Sequence, residues 1–314
     1  MMNIAICKKL WIIVIVFTLI GCLDTNDKVL VGGSILYSYE VAAGEVEIWE
    51  YDVSTDKAAK LIRHHAKDDS AVFNSAKSKI IFDSFDPNSE TKSHHLFVSD
   101  FPILSSITYF VGTDYISYGE PSVCFDTDRI IAIKSNLSQT NPRDVISVSL
   151  VEFDANGNQT NDYGGISIEA ASPVCSKDGK QVLYVDYTGN PSSARIIRYD
   201  VDNIFTEPLT SSTDDCDTVV WAVDMEWVYA TCAGALYKMR PYLDPVTNNA
   251  AEISVVLSPQ YGEKFYGPVI SPAGTHIAFE QYDSNNDGVF IMEISTGIKV
   301  KTTIQPTAIL SDWR

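Results

Sequence analysis

The chain has 314 residues, of which 41 are acidic and 23 are Lys or Arg, so its formal net charge is −18 at pH 7. Such an acidic surface repels phosphate backbones, which argues against a nucleic-acid partner and favours neutral or cationic ligands. Hydrophobic residues make up 45% of the chain, which is too many for a disordered protein.

The N-terminal segment has the features of a secretory signal peptide. Lys8 and Lys9 precede an apolar run from Leu10 to Ile20, in which Thr18 is the one polar residue and which is shorter than the roughly 20 residues that span a bilayer. Residues 19–22, Leu-Ile-Gly-Cys, resemble the lipobox of bacterial lipoproteins. The resemblance implies cleavage before Cys22 and attachment of diacylglycerol to its thiol. The alternative is an uncleaved anchoring helix, although no basic stop-transfer cluster follows.

Leu23 follows the cysteine that we predict to be lipidated. In the enterobacterial sorting pattern, which this segment resembles, the lack of Asp after the cysteine favours the outer membrane. The sequence therefore predicts three parts: a signal peptide in residues 1–21, a short linker in residues 22–32, and a folded domain in residues 33–314. The domain is expected to face the periplasm and to contact the membrane through the lipid anchor alone.

A repeat of about 40 to 51 residues dominates the rest of the chain. Its mark is a valine followed eight positions later by a β-branched residue, with a polar turn between the two. Turn residues such as those at 177–180, Lys-Asp-Gly-Lys, separate the apolar segments, and the surrounding Val and Ile favour strands. Each unit is therefore expected to begin with a strand, a tight turn and a second strand. The valines are Val72, Val123, Val174, Val220 and Val269.

Two further strands complete each predicted unit. The third strand tends to end in an acidic residue, and a more polar fourth strand follows in most units. Four antiparallel strands per unit, without helical periodicity after residue 30, indicate the blades of a β-propeller. The acidic ends of the third strands are Asp52, Asp100, Asp154 and Asp200.

The two ends of the domain complement each other. Residues 33–37 match the second strand of a blade, and residues 307–314 match a first strand. Joining them completes one blade and removes free sheet edges. The predicted fold is therefore all-β: a six-bladed β-propeller of four-stranded antiparallel blades, closed by the C-terminal strand completing the first blade.

Two of the repeats carry a family pattern. Residues 172–200, which include SPVCSKDGKQVLYVDY and ARIIRYD, and residues 268–297 resemble the TolB-type propeller repeat. That repeat runs from Ser-Pro through an Asp-Gly turn to a strand ending in Asp, and the resemblance implies the propeller fold. TolB itself carries an additional N-terminal α/β domain, whereas about ten residues separate Cys22 from the first predicted strand here.

Four cysteines lie in the predicted propeller. Cys216 and Cys232 are equidistant from Asp224, the centre of a predicted turn, so they are expected to face each other across a hairpin and form a disulfide. Cys124 and Cys175 occupy equivalent positions in neighbouring blades. They are either bonded to each other or buried as free thiols.

Loops that lead into the blades are expected to bring aromatic and acidic residues to one rim of the predicted channel. Rings supply contact area at low entropic cost and carboxylates supply orientation, which suits a peptide, a basic protein segment or a carbohydrate. The alternative is that several of these rings pack between blades. The predicted rim residues are Tyr115, Tyr118, Glu120, Asp162, Tyr163, Asp214, Asp215, Tyr261, Glu263, Phe265 and Tyr266.

Two patterns concern metal ions. Four histidines are predicted on the same side of one blade, where imidazoles could bind zinc, copper or nickel, or lie on the surface without a ligand: His64, His65, His94 and His95. Residues 283–288 match the first half of a calcium loop, although a hairpin turn explains them equally well. The candidate calcium ligands are Asp283, Asn285 and Asp287, and Ile294 stands where a glutamate is expected.

The sequence lacks the usual signatures of catalysis, including a Gly-x-Ser-x-Gly motif, a phosphate-binding glycine loop and a zinc-spaced CxxC. The predicted function is therefore non-enzymatic and cofactor-free: a membrane-anchored scaffold that binds a protein or an envelope polymer. The alternative is a metal-dependent lyase or hydrolase acting on an acidic glycan, with the four histidines near the metal. The negative net charge argues against a polyanionic substrate.

Overall fold

The computed structural model describes residues 31–63, 67–85, 93–102, 107–111, 114–141, 144–187, 193–247, 250–283 and 286–314. The chain divides into two compact units, residues 1–30 and 31–314, and every described residue belongs to the second. The predicted signal peptide, Cys22 and most of the predicted linker lie outside the described residues. A search of the described residues for a helix long and apolar enough to cross a membrane finds none.

Every regular element in the described part of the chain is a β-strand. In chain order the first twelve are β1 (Ser34–Ala42), β2 (Glu45–Asp52), β3 (Lys57–Ile62), β4 (Lys67–Phe73), β5 (Lys79–Phe85), β6 (His94–Asp100), β7 (Ile107–Val111), β8 (Ile116–Cys124), β9 (Arg129–Leu137), β10 (Val145–Phe153), β11 (Gln159–Ile166) and β12 (Ala170–Cys175). The next twelve are β13 (Gln181–Tyr187), β14 (Ala194–Asp200), β15 (Phe205–Pro208), β16 (Cys216–Trp221), β17 (Val228–Cys232), β18 (Ala235–Met239), β19 (Ser254–Leu257), β20 (Lys264–Ile270), β21 (His276–Tyr282), β22 (Gly288–Glu293), β23 (Lys299–Lys301) and β24 (Ile309–Trp313).

These strands form antiparallel groups of four. Four separate sheets are β8–β11, β12–β15, β16–β19 and β20–β23. The fifth sheet has eight strands and consists of two groups of four, β24-β1-β2-β3 and β4–β7, which a single parallel pair joins between Val46 and Lys67. The strand at one end of each group is called the inner strand below. The inner strands are β4, β8, β12, β16, β20 and β24.

The two ends of the domain share one sheet. Strand β24 pairs antiparallel with β1, so that Ile35 lies opposite Trp313 and Ser38 lies opposite Ile309. Trp313 is buried. The pairing that the terminal sequences predict is therefore present.

Buried residues are concentrated in the second strands of the groups rather than in the outer strands. The second strands β5, β13 and β21 each contain five consecutive buried residues, whereas the outer strands β11 and β15 contain none. A strand that is buried on both faces needs an unbroken apolar run rather than an alternating one. The second strands therefore lie between neighbouring sheets, and the fourth strands border solvent.

Apolar clusters fill the space between consecutive groups. Leu150 of β10 packs in one cluster with Val182 of β13, and Leu236 of β18 packs in another with Phe279 of β21. Comparable clusters join the other consecutive groups from β1 to β19. Each group therefore stacks face to face against the next one along the chain.

The described residues contain two disulfides. Cys216 and Cys232 are opposite each other in the pair β16–β17 and are bonded, as the position of the turn predicts. Cys124 of β8 and Cys175 of β12 are also bonded, with 5.2 Å between their Cα atoms. The second bond decides the question that the sequence left open, because these cysteines are not free thiols.

Candidate functional site

Two adjoining chambers lie among the inner strands. The wide chamber has a volume of about 840 Å³ and the narrow chamber a volume of about 290 Å³. Both are lined by residues from all six inner strands. One residue from each inner strand borders both chambers and forms the waist between them: Val72, Ser122, Val174, Val220, Val269 and Ser311.

A circuit of hydrogen bonds connects each group of strands to the next. Six bonds, each from an N–H of an inner strand to the preceding group, complete this circuit. They are Phe73 N–H to Asp312 Oδ2, Glu120 N–H to Asp83 Oδ2, Cys175 N–H to Ser122 Oγ, Trp221 Nε1–H to the Val174 carbonyl, Phe265 N–H to the Gly234 carbonyl, and Leu310 N–H to Glu280 Oε1.

All six inner strands have a register break, and in four of them a residue with a left-handed backbone lies at the break. The pairing skips residues between Asp69 and Val72 in β4, and similar breaks occur in β8, β12 and β20. In a β-bulge the extra residue is not paired in the ladder, and its side chain points in a different direction from that of a regular strand residue. The bulge residues have left-handed backbone conformations and line the chamber: Ser70, Glu120, Ser172 and Gly267, with φ angles of 49°, 52°, 53° and 54°.

Glu120, the bulge residue of β8, makes hydrogen bonds to two other sheets. Its N–H donates to Asp83 Oδ2 of β5 at 2.9 Å, and its carboxylate accepts the Ser172 N–H of β12. Burial raises the pKa of the Glu120 carboxyl to about 7, and the negative charges of Asp83 and Asp69 act in the same direction. The Ser172 N–H and His94 oppose the rise. This carboxyl therefore changes its charge near neutral pH.

Glu280 of β21 occupies a comparable position on another side of the wide chamber. Its Oε1 accepts the Leu310 N–H at 3.3 Å, and its Oε2 accepts the Tyr282 O–H at 3.2 Å. Burial raises the pKa of the Glu280 carboxyl to about 7, helped by the charge of Asp217. A Cβ at Gly267 would lie 2.7 Å from Glu280 Oε1, so the glycine leaves the space that this carboxyl fills.

Two more carboxyls add to the negative charge of this region. Burial raises the pKa of Asp217, the neighbour of chamber-lining Thr218, to about 6. Burial and the charge of Asp83 also raise the pKa of Asp69, which lines the wide chamber. The chamber wall is therefore most negative above neutral pH, where these groups are ionised.

The structure separates the predicted rim residues into three kinds. Glu120 and Tyr266 line the wide chamber. Three of the predicted rings pack inside the protein instead. Tyr118 contacts the ring of Phe153, Tyr163 lies against Tyr199 and donates its O–H to Glu152, and Phe265 contacts Phe279: the ring centroids are 5.6, 5.5 and 5.4 Å apart.

The other predicted rim residues lie outside the chamber lining. Tyr261 is fully exposed, and Tyr115 is half-buried with a left-handed φ of 63°. Four acidic residues make local contacts: Asp162 pairs with Lys134, Asp214 accepts the Ser211 N–H, Glu263 pairs with Lys299, and Asp215 accepts the Ala233 N–H through its backbone carbonyl. Contact of these residues with a ligand stays a prediction.

Sequence reasoning missed Asp69, Glu280 and Tyr282 as residues of the chamber wall. A signal for Glu280 is present in the sequence, because an acidic residue directly follows the apolar residues 277–279 of β21 and lies within the buried part of that strand. Asp83 likewise follows the apolar residues 80–82 of β5 and is buried with them. A carboxyl inside an apolar strand is costly to bury, so its position marks a place where the side chain serves a neighbouring bulge or cavity.

The predicted metal ligands are only partly within the described residues. His64, His65 and Asn285 lie outside them. His94 Nδ1 is 3.5 Å from Asp83 Oδ1, and His95 packs against Tyr109. Asp283 donates its N–H to Asp287, as in a tight turn. In the described ranges no group of three or more His, Cys, Asp or Glu side chains is placed to hold a metal ion. Metal binding stays a prediction, which elemental analysis of the purified protein tests.

Comparison with known proteins gives matches in structure. No protein-family model matches the chain, and no curated protein matches its sequence. TolB from Acinetobacter baumannii superimposes with a TM-score of 0.66 at 16% identity, over 90% of this chain and 66% of TolB, so the chain spans slightly less than two thirds of TolB. A nidogen/laminin complex gives a TM-score of 0.65 at 10% identity over 90% of this chain and 97% of the other.

A third similar structure is an oligogalacturonate lyase in complex with manganese. Its TM-score is 0.58 at 13% identity, over 85% of this chain and 73% of the lyase. At these identities the likenesses show the fold alone. The fold is that of a TolB-like β-propeller.

Proposed function

We propose that the antiparallel groups of four strands are the blades of a closed six-bladed propeller. Three observations support this proposal: β24 pairs with β1, all six inner strands line the same two chambers, and the circuit of hydrogen bonds returns to its starting group. Closure in this way covers the edge of β1, which would otherwise be unpaired.

We propose further that the chain is a binding module whose wide chamber holds a positively charged segment of a partner protein. The observation that carries the proposal is the composition of the chamber wall. Among the described residues, its lining includes Asp69, Glu120 and Glu280 but no Lys, Arg or His. Complementary charge steers a cationic segment to this wall. The rings of Tyr266 and Tyr282, 5.4 Å apart, offer faces for the same cation.

Binding of defined peptides tests this function. We expect fluorescently labelled oligo-lysine to bind the mature protein and oligo-glutamate not to bind, with the affinity falling as salt increases. Asp69→Asn is expected to weaken binding about tenfold, the order of a single charge contact. The matched control is Glu40→Gln, since the exposed Glu40 carboxylate accepts the Gly44 N–H outside the chamber. Equal binding of both peptides, or equal effects of both substitutions, would overturn the proposal.

We propose that the protein is exported and anchored through Cys22 to the outer membrane, where it faces the periplasm. The lipobox-like residues 19–22 and the apolar segment before them support this location. The two disulfides also support it, because disulfides persist in oxidising compartments such as the periplasm.

The anchor gives a direct prediction. In a bacterial host that processes lipoproteins, Cys22→Ser is expected to abolish incorporation of labelled palmitate and to move the protein from the detergent phase to the aqueous phase, because the acylated thiol is lost. Cys7→Ser is the control, since Cys7 lies in the segment that cleavage removes. Retention of the Cys22→Ser protein in the detergent phase would show that another segment anchors the chain.

A further inference from the structure

The contact between β8 and β12 differs from a strand pair within a sheet. The two inner strands belong to different sheets, and three contacts join them at successive levels. The Glu120 carboxylate accepts the Ser172 N–H, Ser122 Oγ accepts the Cys175 N–H at 2.9 Å, and Cys124 is bonded to Cys175. Among the described inner strands, this is the one pair with a covalent link. We call it the clamped seam.

At the end of the clamped seam that contains Glu120 and Ser172, the conformation is energetically unfavourable unless the surrounding structure holds it in place. Glu120 and Ser172 both have φ angles in the left-handed region, at 52° and 53°, which residues with a side chain disfavour. The Glu120 carboxyl is also buried near the like charges of Asp83 and Asp69, with His94 as the opposite charge. Such arrangements persist where the surrounding structure holds them in place. The disulfide lies four residues along β8 from Glu120 and three along β12 from Ser172.

We propose that the Cys124–Cys175 disulfide is a redox-sensitive clamp, which holds the bulges of β8 and β12 together and keeps the Glu120 carboxylate in the wall of the wide chamber. Cys175, which is 6% exposed, borders the narrow chamber, whereas Cys124 is fully buried, so a small dithiol would have to reach the bond from that chamber. Reduction breaks the S–S bond, adds one electron and one proton to each sulfur, and leaves the dithiol as a cyclic disulfide. The device does not depend on which partner the wide chamber binds.

Loss of the Cys124–Cys175 bond removes a cross-link that closes a long segment of the chain. The two cysteines are 51 positions apart in the sequence, and a cross-link over such a segment removes much of the freedom of the open chain. The second disulfide, Cys216–Cys232, spans 16 positions within one hairpin and leaves the clamped seam untouched. It therefore provides a control for the general effect of losing a disulfide.

Hydrogen–deuterium exchange of the mature protein tests the clamp. In C124S/C175S we expect amides in residues 116–124 and 170–175 to exchange about 30-fold faster or more, the low end of what loss of a disulfide produces. In C216S/C232S the same amides are expected to keep wild-type protection. Wild-type protection of both segments in C124S/C175S, or equal losses in both variants, would overturn the proposal.

A second measurement separates positioning of Glu120 from general stability. Carbon-13 NMR titration of the oxidised protein is expected to show the pKa of the Glu120 carboxyl near 7, and reduction should return it toward its ordinary value. The Glu280 carboxyl, remote from the clamped seam along the channel wall, should keep its raised pKa. If C124S/C175S does not fold, the wild-type protein is reduced stepwise instead. Alkylation of the free thiols then shows which disulfide has opened, so that reduction of Cys124–Cys175 is compared with reduction of Cys216–Cys232. An unchanged Glu120 pKa after reduction of Cys124–Cys175 contradicts the clamp.

Discussion

Replacing Phe279 by alanine is expected to lower the free energy of unfolding by about 3 to 5 kcal/mol, the usual loss for a buried phenylalanine. Phe279 is fully buried in β21. Its ring makes an edge contact with Phe265 at 5.4 Å and a stacked contact with Phe290 at 6.3 Å between centroids. Because the same cluster contains Leu236 of the preceding group, the cavity left by the substitution would weaken the packing between two sheets.

Urea denaturation of the mature protein, followed by tryptophan fluorescence, measures this loss. Phe205→Ala is the control, since 53% of Phe205 is exposed in the outer strand β15. Its free energy of unfolding is expected to change by less than about 1 kcal/mol. Equal effects of the two substitutions would show that the interface between the β16–β19 and β20–β23 groups does not support the fold as the structure indicates.

The second large effect concerns Glu280 and pH. Its pKa is about 7 in the folded protein, above the ordinary value of 4.5, so folding favours the protonated carboxyl. The resulting stabilisation is complete below about pH 4.5 and is lost as the pH rises to about 7. Glu280→Gln keeps the side chain neutral at every pH. Above pH 7 the variant is therefore expected to be more stable than the wild type by about 3 kcal/mol, since the pKa rises from 4.5 to about 7 and each pKa unit corresponds to about 1.4 kcal/mol.

Unfolding free energies at pH 5 and pH 8 test this expectation. The difference between Glu280→Gln and the wild type should be small at pH 5 and large at pH 8. Glu40→Gln, at an exposed carboxyl, should leave the pH dependence unchanged. A Glu280→Gln protein that loses stability between pH 5 and pH 8 as steeply as the wild type would rule out the buried carboxyl as the cause, and Glu120 and Asp217 would then be the groups to replace.

The repeat pattern predicted much of the fold because every unit packs its first two strands in the same way. A valine, a polar turn and a β-branched residue mark the first two strands wherever they occur, and the structure has strands at all five of these places. The complementary ends of the domain likewise predicted the pairing of β24 with β1. These features are local or periodic, so the order of residues alone reveals them.

The candidate site was harder to predict because it depends on which way individual side chains point. Tyr118 and Phe265 have the residue types expected of a binding rim, but both pack inside the protein. Glu280 follows an apolar run and yet borders the wide chamber. The bulges reverse such expectations, because one extra residue in a strand turns the following side chains to the opposite face.

The sequence by itself determined the all-β class, the repeating units, the strand pairing at the two ends and the hairpin disulfide between Cys216 and Cys232. The tertiary structure alone decided that Cys124 bonds to Cys175 and that Glu120 and Glu280 meet one chamber. The physical reason is the range of the interactions. Strands and hairpins arise between residues that are close along the chain, whereas a chamber wall forms where separate sheets pack together. No single segment of the sequence specifies how far apart those sheets lie.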